Sequence, residues 1–106
     1  MIGTQAIEEA VRLLLDATPR GTEVILFGSH ATGHAREDSD LDFLVVEPTL
    51  DGRRAEMVRL RQVLRPLGIP ADVLVVSRRA FESWREAPNN VVAQAAREGR
   101  SYSHAH

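Results

Sequence analysis

Between Gly28 and Val46 the chain reads GSHATGHAREDSDLDFLVV, a glycine-bearing turn and a knot of carboxylates wedged between two apolar runs. Val24-Ile25-Leu26-Phe27 precede it and Phe43-Leu44-Val45-Val46 follow it, both rich in residues that favour buried strands. Two strands flanking a polar turn are the expected local structure. Asp40 and Asp42 are two apart at the start of the second strand, which predicts that they share a face with Cβ atoms roughly 6.5 Å apart. Burying one ionised carboxylate beside another costs on the order of several kcal/mol, so packing alone gives no reason for the pair. A divalent cation removes the objection. Mg²⁺ suits oxygen ligands and is usually held by one or two protein carboxylates together with substrate phosphates. Gly28 lets the chain turn sharply after the first strand, and Ser29 at the start of a short helical turn offers an N–H and a hydroxyl to an anion.

Ser29 is followed by ten residues and then by Asp40-Leu41-Asp42, with a third acid, Asp72, inside the apolar run Ala71-Asp72-Val73-Leu74-Val75-Val76. In this respect the chain resembles the minimal nucleotidyltransferases of the DNA polymerase β superfamily, whose signature is a Gly-Ser pair, about ten residues and an Asp-x-Asp framed by apolar residues. Thr32, Gly33 and Ser39 lie inside the matching stretch, and the resemblance covers nearly the whole chain. It implies that Asp40, Asp42 and Asp72 are the catalytic acids and bind the metal, Mg²⁺ as two ions or Mn²⁺ in its place, and that Asp72 helps deprotonate the acceptor hydroxyl. It further implies nucleotide contacts from Gly28, Ser29 and Ser39, with His30 as a candidate. Many relatives carry arginine where His30 stands, which weakens the charge offered to a triphosphate. The family's Glu-Gly-Arg pattern matches Glu98-Gly99-Arg100, read here as structural.

At 106 residues, 43% hydrophobic and 26% charged, the chain is expected to form one compact domain over residues 1–106. No apolar run is long enough for a bilayer and the N-terminus lacks a secretory pattern, so a cytoplasmic protein without a membrane partner is expected. Zero cysteines exclude disulfides and thiolate metal sites. A net charge of −2 argues against stable nucleic-acid binding and favours ATP or another nucleoside triphosphate as ligand.

Thr4 to Ala17 places Ile7, Val11, Leu14 and Leu15 on one helical face. Asp51 to Leu67 does the same with Met57, Leu60, Leu64 and Leu67, leaving Arg53, Arg54, Arg59, Arg61 and Arg65 on an outer face read as solvated, with an acidic partner surface or a reach toward the triphosphate as the alternative. Strands are expected over Thr22–Phe27, from Asp40 to Val46, and over Ala71–Val76, with a polar loop from His34 to Ser39. Two short helices are expected over Arg78–Arg85 and Asn89–Glu98, the second packing through Val92, Ala95, Ala96 and Gly99, and a loose tail from Tyr102 (flexible from about residue 101). Trp84 and Tyr102 are read as packing or interface residues, and His34, His104 and His106 as surface histidines. Asp38 is read as a cap or a partner of Arg36. The strand-helix-strand passage requires a crossover, so the fold class is α/β: a small mixed sheet covered by helices on one main face, as in the palm-like nucleotidyltransferase core.

The function expected is metal-dependent transfer of a nucleoside monophosphate, AMP from ATP, to a hydroxyl. A chain this short leaves little room for an acceptor domain, and the resemblance implies an antitoxin paired with a helical HEPN-type RNase toxin that carries the acceptor. Two alternatives stand beside it: an antitoxin that neutralises its partner by binding alone, and a small-molecule transferase of the aminoglycoside-modifying kind. Self-association is left open by the sequence.

Overall fold

The computed structural model describes residues 3–33 and 40–104. Helix α1 (Thr4–Asp16) leads to β1 (Glu23–Phe27), a single helical turn α2 (Ser29–Thr32), β2 (Leu41–Glu47) and helix α3 (Arg53–Leu64), whose last turn tightens into a 3-10 turn over Arg65–Leu67. Pro66 and the left-handed Gly68 end it. Strand β3 (Ala71–Ser77), helices α4 (Arg78–Trp84) and α5 (Val91–Glu98) and strand β4 (Arg100–Ser103) complete the order. Ser77 and Asn90 cap α4 and α5 by accepting the N–H of Ala80 and Ala93.

The sheet runs β3-β2-β1-β4; β2 pairs parallel with β3 through the α3 crossover, and the other two pairings are antiparallel. The fold is thus α/β with a mixed four-stranded sheet, as the strand-helix-strand passage requires.

Alternation along the strands sorts the core into two clusters. Val24, Leu26, Leu41, Phe43, Val45, Val73 and Val75 pack with Ala10, Val11 and Leu14 of α1 and Leu60 and Leu64 of α3. On the other face Ile25, Phe27, Leu44, Val46 and Val76 pack with Phe81 of α4 and Val92 and Ala95 of α5. Both faces are therefore covered, where the sequence had suggested one main face. The terminal helices are short but place apolar side chains three and four residues apart, enough to close the second face.

The C-terminal segment also departs from expectation. Residues 100–103 are not loose; they form β4 on the edge of β1, with Glu23 opposite Ser103 and Leu26 opposite Arg100. Tyr102 packs partly buried against the α1 cluster, and Nε2 of His104, expected at the surface, lies 2.7 Å from the Leu15 carbonyl oxygen. Trp84, by contrast, is 56% exposed and packs little. The expected loop from His34 to Ser39, with His34, Arg36, Asp38 and Ser39, and the terminal His106 lie outside the described residues.

Candidate functional site

The strand register builds the site. Asp42 lies on the interior strand β2, opposite Phe27 at the end of β1 and opposite Asp72 near the start of β3. Neighbouring strands stand about 4.8 Å apart, so residues in register on a parallel pair present their side chains together on one face. That face is the one α4 and α5 cover further along the sheet. Asp40 stands one residue ahead of β2 rather than inside it and is exposed, and the N–H of Leu41, next to it, donates to the Pro70 carbonyl at 3.0 Å.

Gly28 shapes the wall beside Asp42. Its φ is +79°, a left-handed conformation that side chains other than glycine's rarely adopt, and a Cβ placed there would sit 2.5 Å from Oδ2 of Asp42. Position 28 must therefore be bare for the carboxylate to stand where it does. Beyond Gly28 the backbone turns into α2, which begins at Ser29 and includes His30.

The half-buried Asp42 carboxyl is pushed above its ordinary pKa, first by burial, then by the charges of Asp72 and Asp40; the charge of His30 acts in the opposite direction. Of the three acids, Asp42 is the one that burial weighs on. Asp40 is exposed, and Asp72, on the edge strand, keeps 57% of its side chain in solvent. Nor is Asp72 unpaired, for Arg61 of α3 donates from Nη2 to its Oδ1 at 2.9 Å. Among the described residues, no three acid or imidazole side chains converge closely enough to hold one ion as they stand.

The register thus brings Asp42 and Asp72 together with Gly28 at their rim, and Asp40 and His30 act on Asp42 through their charge. Ser39 lies outside the described residues. The pairing of Arg61 with Asp72 is what the sequence did not show, since Arg61 stood there as one of five arginines on the outer face of a helix. Arg53 and Arg59 of that row are also anchored, with Arg53 Nε donating to the Val75 carbonyl and Arg59 Nη2 to the Ala17 carbonyl. The contact depends on α3 crossing back beside β3, a tertiary fact.

A family profile described as a nucleotidyltransferase domain matches residues 6–97. No curated protein matches the sequence. Solved structures do: a toxin-antitoxin crystal structure with AMP-PNP superposes with a TM-score of 0.55 at 24% identity, covering 92% of this chain and 73% of that one. A mutant of the toxin-antitoxin MntA-HpeT, with two aspartates two residues apart exchanged for glutamates, superposes with a TM-score of 0.54 at 23% identity over the same shares. At such identity the likeness is one of fold. The profile match spans most of the sequence, both flanking strands and all three aspartates, and on that ground the chain belongs to the nucleotidyltransferase-domain family.

Proposed function

We propose that this protein is a metal-dependent nucleotidyltransferase that moves AMP from ATP onto a hydroxyl of a partner protein and releases pyrophosphate. The observation that carries the reading is the register of Asp42 with Asp72 beside the side-chain-free backbone of Gly28, inside the span that the family profile matches. A hard divalent cation fits these residues: the carboxylates are oxygen donors, and the proton affinity that burial and neighbouring charge confer on Asp42 is what a cation would relieve.

Asp40, Asp42 and Asp72 would hold the metal, Mg²⁺ or Mn²⁺, which when bound neutralises charge on the transferring phosphoryl group. Gly28 and the backbone entering α2, with Ser29 and His30, would position the triphosphate, joined by Ser39. Asp72 is the most solvent-accessible acid of the Asp42–Asp72 pair and takes the proton as the acceptor oxygen bonds to the α-phosphorus. The bond to the β-phosphate breaks and pyrophosphate leaves with the electron pair.

The partner we propose is a toxin of the HEPN type. Two solved structures of similar fold are toxin-antitoxin proteins, one with an ATP analogue and one altered at an aspartate pair with the spacing of Asp40 and Asp42. The test is incubation with α-labelled ATP, Mg²⁺ and the protein encoded beside it. Label on the partner that disappears with Asp42→Asn or Asp72→Asn supports transfer. Neutralisation of the partner that survives both substitutions, with no label, would replace this reading with binding alone.

A further inference from the structure

Asp42, Arg61 and Asp72 belong to one continuous unit, β2–α3–β3, and the crossover that sets the two aspartates in register also carries Arg61 to the outer side of the edge strand. The contact is specific: Arg61 Nη2 donates to Asp72 Oδ1 at 2.9 Å. Both side chains are about half exposed, 47% and 57%, and an ion pair that open stabilises a fold little. The other anchored arginines of α3 differ in kind. Arg53 and Arg59 each reach a backbone carbonyl and tie α3 to β3 and to the end of α1. Arg61 spends its contact on a carboxylate of the site.

That contact also gives Asp72 a cationic partner where the backbone alone sets an acid against an acid. The strand register sets Asp42 and Asp72 opposite each other, yet among the described residues no three acids converge to hold an ion. A guanidinium bonded to Asp72 supplies at that carboxylate the positive charge that the acidic pair lacks.

We infer that Arg61 is a built-in counter-ion that competes with the divalent cation for Asp72 and so sets the cation concentration at which the site assembles. The inference rests on the metal-dependent reading above and adds a regulator to it. While Arg61 holds Asp72, a cation must displace a guanidinium as well as water. Once displaced, Arg61 remains beside the site as a charge-assisted donor for an anionic ligand.

The test is Mn²⁺ binding to the free protein, followed by the loss of the aqueous Mn²⁺ electron-paramagnetic-resonance signal, with no turnover required. Arg61→Ala is expected to bind Mn²⁺ about two- to five-fold tighter than wild type at low salt, the range of an exposed ion pair. The gap should narrow at about 0.5 M salt, where screening shortens to a few ångströms. Arg61→Lys should stay near wild type, and Arg65→Ala, which removes a charge from the same helical segment without touching Asp72, should change nothing. In an Asp72→Asn background the Arg61→Ala effect should largely vanish, the signature of coupling between the two side chains.

Equal or weaker Mn²⁺ binding by Arg61→Ala overturns the inference alone, as does an effect that persists undiminished without Asp72, which is simple charge repulsion. Absence of Mn²⁺ binding in wild type and Arg61→Ala alike, with and without a nucleotide, overturns the metal-dependent reading and this inference with it.

Discussion

Gly28 stands so close to Asp42 that a single added carbon would lie 2.5 Å from the carboxylate oxygen Oδ2, inside any permitted contact. The backbone of the turn and the acid of β2 thus fit each other atom to atom. Gly28→Ala must move the carboxylate or the turn, and at φ +79° it adds backbone strain of about 1–2 kcal/mol. We expect Gly28→Ala to lower the unfolding free energy by that amount and to weaken Mn²⁺-nucleotide binding at least tenfold. Calorimetric titration beside a denaturant melt separates the two effects. Undiminished binding would show that the fit between turn and acid is incidental.

Asp42 carries the cost of its surroundings in the fold itself. Its raised pKa means that the folded state binds the proton more tightly than the unfolded chain does, so its effect on stability is least harmful below the unfolded pKa and grows as pH rises. Asp42→Asn should therefore stabilise the protein at pH 7, by up to about 1 kcal/mol given the partial exposure, and give no gain near pH 3. Asp72→Asn should lower the pKa of Asp42 by removing the larger of the two neighbouring charges that raise it, a shift that carboxyl-carbon NMR titration reads directly. An Asp42 titration indifferent to Asp72 would separate the two acids functionally.

The sequence made some of this legible and hid the rest for identifiable reasons. Strands β1, β2 and β3 and helix α1 follow from apolar periodicity, and Gly28, Asp42 and Asp72 from a spacing that constrains chemistry. Strand β4 escaped because Arg100-Ser101-Tyr102-Ser103 has no buried run; it is held by the free edge of β1 and by one partly buried tyrosine, both tertiary facts. Arg61 escaped because a helical arginine looks solvated until the strand beside it is known. Glu47 escaped because a strand end followed by Pro48 suggests an exit to solvent, whereas β2 carries it under α3 with 4% of its surface exposed.

Gly99 joins α5 to β4 at a point with no room to spare. A Cβ there would overlap the Ile25 side chain and come within 2.5 Å of the Ala95 carbonyl oxygen and 3.0 Å of that of Leu26. Because two of these atoms are backbone, α5 would have to lift from β1. We expect Gly99→Ala to destabilise the fold by about 1–3 kcal/mol, the range of overpacked sites, and to raise amide exchange in β4 more than in β3. Uniform exchange across the sheet would mean that β4 does not depend on this junction.

The end of the sheet away from the aspartates holds a second pair of acids, Glu47 and Glu56. Burial, then the hydrogen bond and charge of Glu56, push the Glu47 carboxyl up to about 7, while Arg59, gripping Glu56 at 2.7 and 2.9 Å and the Ala17 carbonyl at 2.7 Å, holds Glu56 well below the usual carboxylate range. Oε2 of Glu47 is buried and accepts no hydrogen bond from any described residue, so ionising it leaves charge uncompensated. The two acids act on stability with opposite sign. Glu56, with its depressed pKa, contributes stability that is present above about pH 4.5 and lost as acid protonates it. Glu47, with its raised pKa, contributes stability that is present below about pH 4.5 and lost as pH climbs through 7. The pair together should place maximal stability near pH 5. Glu47→Gln, neutral at every pH, should be close to neutral in effect at pH 5 and stabilising by about 1–2 kcal/mol at pH 8.5, a difference that denaturant midpoints at the two pH values measure. Equal effects at both would mean that Glu47 keeps an ordinary pKa and that Arg59 reaches past Glu56 to neutralise it.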